Sequence, residues 1–210
     1  MNPTINWILW NSTLAAMPVA LAYLMSLAAN MNASKLLRCL LVVAIAPVWL
    51  AFLPNTCYLL TEWRHFLFTL DNHDLYIRSQ VDSSLYLPLF RATLFYACYS
   101  GFGMMTFALA IRPVERIAAR AGLPIWSWAV PFFAMVSLGV YLGLVQRFNS
   151  WEPLTKFGPL WSASVAAMEH SRLGWFILAF GAFLWISYEA LDLWIDAAGE
   201  RWRKLTARQV

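Results

Sequence analysis

Two polar motifs stand out in this largely apolar chain, one over residues 53–62 and the other over residues 141–152. The first carries an amide, a phenol and a carboxylate, and the second carries a guanidinium, another amide and an indole. A guanidinium presents a planar fork that fits a carboxylate or a phosphate, while amides and phenols form hydrogen bonds. These groups predict a site for a small polar or lipid-linked ligand. The candidate binding residues are Asn55, Tyr58, Glu62, Arg147, Asn149 and Trp151.

The spacing of Glu62 and His65 indicates a second chemistry. Residues three apart share a helix face, where a carboxylate and an imidazole can transfer a proton or bind a metal. Either residue is therefore a candidate general base. The pair offers at most two of the three or four ligands that a metal site such as zinc needs, so we predict no bound metal and no cofactor. Alternatively, the pair belongs to a solvated segment, like residues 71–74, whose Asp and Asn side chains favour a turn.

The composition predicts an integral membrane protein. Hydrophobic residues make up 61% of the 210 positions and charged residues only 12%, with 12 Trp. A soluble domain of this size cannot bury that much apolar surface. The net charge of +4 then indicates attraction to anionic lipid headgroups rather than to nucleic acid. Nothing divides the chain, so residues 1–210 are expected to form a single membrane domain.

Five apolar runs have the length of about 20 residues that a helix needs to cross the hydrocarbon core of a bilayer. Each run is apolar all round and lacks the alternation of a membrane β-strand, so the runs predict an all-α transmembrane bundle of about five spans. The predicted spans cover residues 5–29, 40–60, 85–111, 124–145 and 174–195.

Basic residues predict the orientation of this bundle, because short cytoplasmic loops are enriched in Lys and Arg. With the N-terminus outside, the inner segments hold nine of them: Lys35, Arg38, Arg112, Arg116, Arg120, Arg201, Arg203, Lys204 and Arg208. The outer segments and their borders hold six: Arg64, Arg78, Arg91, Arg147, Lys156 and Arg172. We therefore expect the N-terminus outside and the C-terminus inside, with both polar motifs on the outer face.

Pro54 predicts a kink or break in the second span. Proline frees a backbone carbonyl about one turn earlier, and in lipid that carbonyl needs a hydrogen-bond donor. Two interpretations of Asn55 stay open: its side chain caps the freed backbone groups, or it lines a ligand site, since broken membrane helices often border cavities. In the fourth span, Gly139 and Gly143 are four residues apart and would let a neighbouring helix approach closely.

Arg147 and Glu62 follow the outer ends of the fourth and second spans and are long enough to meet. We expect them within direct or water-bridged reach, because an unpaired charge at the membrane interface is costly. An ion pair between Arg147 and Glu152 is the alternative.

The last span carries Glu189, Asp192 and Asp196 on one helix face near its inner end. Such a face could conduct protons or cations. We favour neutralisation of these carboxylates by the basic residues that follow on the same helix, namely Arg201, Arg203 and Lys204.

The two motifs also resemble those of a known protein family. The residues on which the resemblance rests are Leu53, Pro54, Asn55, Tyr58, Thr61, Glu62, His65, Tyr141, Leu142, Gly143, Arg147, Asn149, Ser150, Trp151 and Glu152. Their order and separation resemble the bacterial multi-pass membrane family of domain of unknown function 1361, over most of the chain. In that family an Arg commonly follows Tyr-Leu-Gly and an Asp commonly follows Asn-Ser-Trp, whereas Leu144 and Glu152 stand here. The first departure removes a second Arg, and the second keeps a carboxylate. The resemblance implies a bacterial membrane location and no particular activity.

Three functions stay open. The chain could bind a ligand in transport or envelope metabolism, and its 24.0 kDa is small for a solitary transporter, so a homo-oligomer or a partner membrane subunit would be expected among the membrane lipids. It could be an enzyme with Glu62 or His65 as base and Arg147 holding an anionic group, although Gly-x-Ser-x-Gly, His-Glu-x-x-His and P-loop motifs are absent from the sequence. It could also be a structural or assembly subunit. Each function is expected in the bacterial cytoplasmic (inner) membrane.

Overall fold

The structure, a computed structural model, describes residues 3–72 and 75–207, and α-helices cover most of both ranges with no strand in either. Short 3-10 turns over Ser83–Leu85 and Ile125–Ser127 precede two of the helices. The helices are α1 (Pro3–Asn30), α2 (Lys35–Phe52), α3 (Pro54–Thr61), α4 (Trp63–Asn72), α5 (Leu75–Val81), α6 (Tyr86–Arg120), α7 (Ala129–Leu144), α8 (Glu152–Thr155), α9 (Phe157–Glu169) and α10 (Ser171–Thr206).

Four helical stretches in the described ranges are long and apolar enough to cross a membrane. They are Asn6–Asn30 in α1, Lys35–Phe68 from α2 into α4, Ser83–Arg120 with α6, and Ser171–Thr206, which is α10. Helix α7 is a fifth apolar helix, of 16 residues. Together they confirm the predicted all-α membrane bundle of about five spans. The predicted turn at residues 71–74 falls partly on α4, which ends at Asn72, while His73 and Asp74 lie outside the described residues.

Three helices have bounds that differ from those of the predicted spans. Helices α6 and α10 continue well beyond residues 111 and 195, to Arg120 and Thr206. Hydropathy falls at those positions because charged residues begin there, but the helical backbone continues past the apolar stretch. Helix α7 begins later than the predicted residue 124, because Pro124 has an extended backbone and leads into a 3-10 turn.

The predicted break at Pro54 is confirmed. Helix α2 ends at Phe52, and Pro54 is the first residue of α3, where its missing N–H costs nothing because the first helical N–H groups have no intrahelical acceptor. The Thr56 hydroxyl donates to the Leu53 carbonyl at 2.8 Å. That bond lies within the first turn of α3 and is separate from the Leu50 carbonyl that Pro54 leaves without its helical donor. Asn55 does not cap this carbonyl among the described residues, because its Nδ2 donates to none of them.

Helix α3 lies inside the bundle, against α1, α6 and α7. Leu53, at its start, and Phe107 of α6 are both fully buried in the main hydrophobic core. The Trp49 indole of α2 donates to the Ala110 carbonyl at 3.0 Å and stacks on Phe132 with ring centroids 5.8 Å apart. Because α3 is enclosed in this way, its polar side chains face neighbouring helices rather than open lipid.

Candidate functional site

The two polar motifs meet where α3 packs against α7. A Cβ added at Gly139 would lie 2.7 Å from Cγ of Pro54, and one added at Gly143 would overlap the Tyr58 hydroxyl. Tyr58 donates a long hydrogen bond of 3.5 Å to the Gly139 carbonyl. The close approach expected from the two glycines is therefore present, and the helix that approaches is α3.

Asn55 joins the motifs through a buried hydrogen bond. Ser150 Oγ donates to Asn55 Oδ1 at 3.0 Å across 95 residues of sequence. Asn55 is only 2% exposed, and its Nδ2 has no hydrogen-bond acceptor among the described residues. A buried amide nitrogen without an acceptor is costly. It is also a donor that an additional molecule could satisfy.

Glu152 fixes the loop that follows α7. Its Oε2 accepts from the Asn149 backbone N–H at 2.8 Å, and its Oε1 accepts from Lys156 Nζ at 2.9 Å. The loop therefore folds back towards α8 and holds Asn149 and Ser150 beside α3. The partner of Glu152 is Lys156, so the alternative pairing with Arg147 was wrong.

A cavity of about 400 Å³ lies beside this junction, bordered by α2, α3, α7, α8 and α9. Most of its wall is apolar, including Pro54 and Trp161. Its polar groups come from both motifs and from α9, namely Tyr58, Asn149, Ser150 and Ser164. Mostly apolar walls with a few convergent polar groups are typical of small-molecule sites.

Glu62 lies away from this cavity. It is 8% exposed and sits in the turn between α3 and α4, within electrostatic reach of Tyr96 and Tyr99 on α6. Tyr99 is in turn close to Asn11 and Ser12 of α1. The backbone of His65 lies in α4, and its side chain is outside the described part of the structure. Glu62 thus faces α6, whereas Tyr58 lines the cavity beside α7.

Arg147 and Trp151 do not line the cavity. Arg147 is exposed and forms no ion pair with a described side chain, so the direct form of the predicted contact with Glu62 is absent there and the water-bridged form stays a prediction. Both charged residues occupy turns, where helical spacing no longer sets the direction of a side chain. Trp151 is 47% exposed at the start of α8.

Sequence reasoning missed the contribution of α9 to the site. Residues 146–172 read as an outer loop, yet Phe157–Glu169 is a helix whose Leu160, Trp161 and Ser164 form part of the cavity wall. Ser164 lies three residues after Trp161 and four after Leu160, and both spacings place side chains on one helix face. That pattern was the available signal.

The backbone conformation of Arg147 allows a test of whether its side chain stabilises the fold. Its φ of 58° is left-handed, a conformation that costs a non-glycine residue about 1 kcal/mol. We expect Arg147→Gly to raise the free energy of unfolding by up to about 1 kcal/mol, whereas Arg147→Ala keeps the strain and should not. Chemical unfolding of the two variants measures the difference. Equal destabilisation by both would instead show that the guanidinium stabilises the fold.

Glu152 gives the loop a pH dependence. Hydrogen bonds from Lys156 and from the Asn149 N–H hold the pKa of its carboxyl below the ordinary value. Its stabilising effect is therefore complete above the ordinary carboxyl pKa and is lost as the pH falls from there through the lowered pKa. We expect protection of the Asn149 amide in hydrogen exchange, corrected for intrinsic rates, to decrease over that acidic range. Glu152→Gln should abolish this pH dependence. The same pH profile of Asn149 protection in Glu152→Gln and in the wild type would contradict the role of Glu152.

Ionisable side chains form a second cluster where α6 and α10 end. Arg112 of α6 donates to Asp192 and to Asp196 of α10, and Arg116 lies 3.8 Å from Asp196. The carboxylates of Asp192 and Asp196 are thus neutralised from α6. The predicted neutralisation from their own helix, by Arg201, Arg203 and Lys204, was wrong for this pair.

The remaining acids of this cluster also have partners. Tyr188, which is 1% exposed, donates to Glu115, and the Trp185 indole donates to Glu189 at 2.9 Å. Each of these bonds joins a carboxylate to an aromatic donor within the bundle. The cluster therefore ties α6 to α10.

Comparison with known proteins gives one family. The model of the family described as "Protein of unknown function (DUF1361)" matches residues 10–187. No curated protein and no solved structure matches the chain. The match extends from α1 into α10 and includes both polar motifs and the cavity between them. This chain therefore belongs to the family of proteins of unknown function DUF1361.

Proposed function

We propose that this chain is a multi-pass protein of the bacterial cytoplasmic membrane whose cavity binds a small polar or lipid-linked ligand in a transport or envelope process. The supporting observation is the cavity of about 400 Å³ whose polar groups come from both motifs. That volume lies within the range of about 300 to 1,000 Å³ that is usual for small-molecule sites.

The chemistry of the wall defines the ligand class. The apolar surface of Pro54, Leu142 and Trp161 suits an acyl, prenyl or aromatic part. Tyr58 and Asn149 supply hydrogen-bonding groups. The cavity wall also includes Ser150, which is hydrogen-bonded to the buried Asn55 behind that wall. A molecule with an apolar body and a neutral or anionic hydrogen-bonding head fits this arrangement.

Filling the cavity tests the proposal. Ser164 lines the cavity and Ser162, on the same helix, is exposed and outside it. Mass spectrometry of gently purified protein should find a retained small molecule or lipid in the wild type and in Ser162→Phe. The same molecule should be lost from Ser164→Phe. Retention by all three proteins, or an empty wild type, would contradict the proposed site.

The proposed orientation has the N-terminus outside and the C-terminus inside, as the Lys and Arg distribution favours. In a cysteine-free background, an impermeant thiol reagent added from outside should modify a cysteine placed at Lys156. A cysteine at Thr206 should stay unmodified. The opposite labelling pattern would move the cavity to the cytoplasmic side of the membrane.

A structural or assembly role is the second candidate, and one observation favours it. The Asn55–Ser150 bond joins α3 to the loop that follows α7, and the close contacts of Gly139 and Gly143 join α3 to α7 directly. Under this role the wild type would retain no ligand, and Ser150→Ala would lower stability as its main effect. Under ligand binding, Ser150→Ala would reduce retention by a folded protein.

A further inference from the structure

A basic notch lies between α1 and α6, at the end of the bundle where both helices end. It has a volume of about 150 Å³ and is separate from the cavity at α3 and α7. Arg112, Arg116 and Arg120 follow one side of α6 in steps of four residues, or about 6 Å along the axis. Tyr23 and Ser26 of α1 line the opposite wall.

The charge in the notch is not fully neutralised. Asp192 and Asp196 are engaged by Arg112, and the guanidinium of Arg116 reaches Asp196 only at 3.8 Å. The Arg116 side chain is 61% exposed. Arg120 donates to Asn30 Oδ1 at 2.9 Å, a neutral partner. Among the described residues that line the notch there is no Asp or Glu, so its open side presents positive charge.

The surface beside the notch is apolar and suits contact with lipid. Helix α1 is apolar and long enough to cross a membrane, and Leu24 and Leu27, next to the notch residues Tyr23 and Ser26, are exposed. Exposed apolar side chains beside a basic pocket at a helix end can contact acyl chains while the arginines contact a headgroup. A soluble anion would gain nothing from that apolar border.

We propose that this notch binds the phosphate of an anionic phospholipid from the adjacent leaflet. The volume suffices for one phosphate group, and guanidinium forks bind phosphate oxygens in pairs. Tyr23 and Ser26 add hydroxyl donors from the other side. The bound headgroup contacts α6 through Arg116 and Arg120 and α1 through Tyr23 and Ser26, and so bridges the two helices independently of any ligand in the α3–α7 cavity.

Lipid titration of the purified full chain tests this assignment. In detergent, added phosphatidylglycerol should raise the Tm of the wild type more than phosphatidylcholine does. Arg116→Gln should weaken the apparent affinity for phosphatidylglycerol about fivefold, the loss expected for one interfacial arginine. The matched control is Arg203→Gln, an exposed arginine in the last turn of α10, which should keep the wild-type affinity. Arg116→Lys keeps the charge without the fork and should lose less affinity than Arg116→Gln.

Several outcomes would overturn the proposal. An unchanged phosphatidylglycerol affinity in Arg116→Gln would exclude the notch. An equal loss in Arg203→Gln would indicate diffuse attraction to the whole basic surface. If inorganic phosphate raised the Tm as much as phosphatidylglycerol, the ligand would be a soluble phosphate and not a lipid. If Arg116→Gln failed to fold, two other results together would exclude headgroup recognition. Folded Arg116→Lys would keep the wild-type affinity, and phosphatidylcholine would raise the Tm as much as phosphatidylglycerol does.

Discussion

Gly103→Ala is expected to lower the free energy of unfolding by about 2 kcal/mol, a typical cost of overpacking a close contact. A Cβ at this position of α6 would lie 2.7 Å from Leu59 Cβ and 2.8 Å from the Thr56 carbonyl oxygen. The carbonyl is backbone, so α3 itself would have to shift. Chemical unfolding of the purified protein measures the effect, and ligand retention should fall with it because α3 forms a wall of the cavity.

Gly101→Ala is the matched control. It is two residues away on α6, and an added Cβ would have no neighbour within 4 Å. Alanine favours a helix by up to about 1 kcal/mol over glycine, so this variant should be as stable as the wild type or slightly more stable. Equal destabilisation by both substitutions would show that α3 and α6 are not in the close contact described above.

Arg112→Met is expected to cost about 2 kcal/mol, because the Arg112–Asp192 bond is part-buried and lies between an exposed ion pair, worth up to about 1 kcal/mol, and a buried one, worth about 3 kcal/mol or more. The Arg112 side chain is 12% exposed and serves both Asp192 and Asp196. Without it, Asp192, which is 26% exposed, would keep a poorly solvated charge, whereas Asp196 at 59% regains much of its hydration. Unfolding measurements on the single variant give the magnitude.

A double-mutant cycle identifies the cause of that loss. Asp192→Asn removes the stranded charge, so Arg112→Met/Asp192→Asn should be less destabilised than the sum of the two single variants. Arg201→Met, an exposed arginine of α10, should have little effect. Strict additivity of Arg112→Met and Asp192→Asn would mean that these two side chains do not interact.

The helices and the break at Pro54 could be predicted because their causes are local. An apolar run of sufficient length must satisfy its backbone hydrogen bonds as a helix in lipid, whatever its neighbours are. Proline alone removes the hydrogen bond that would continue α2. The ends of α6 and α10 could not be predicted in the same way, because hydropathy records where a helix leaves apolar surroundings and not where its backbone hydrogen bonds stop.

Which residues form the site depends on the direction of each side chain. The sequence constrains these directions less than it constrains the positions of the helices. Asn55 and Tyr58 lie within α3, and the sequence correctly indicated a close approach between helices at Gly139 and Gly143. Glu62 and Arg147 lie in turns, where one backbone angle redirects the side chain. The left-handed φ of Arg147 is an example that no helical spacing predicts.

Ion-pair partners were predicted from nearness in sequence, and this choice failed for Asp192 and Asp196. Their cation, Arg112, is 80 residues from Asp192 and 84 from Asp196. Only the packing of α6 against α10 brings it close. Arg201 and Arg203, on the same helix as the acids, needed no such packing and were therefore the simpler expectation.

The length of α7 has a consequence for the surrounding bilayer. Its 16 residues rise about 24 Å, whereas a typical hydrocarbon core is about 30 Å thick. We therefore expect negative hydrophobic mismatch on the flank formed by α7. The bilayer beside α7 is expected to thin locally, at a cost of fractions of a kcal/mol per ångström of mismatch. In a membrane of uneven thickness, this protein should accumulate in the thinner regions and so sort itself laterally.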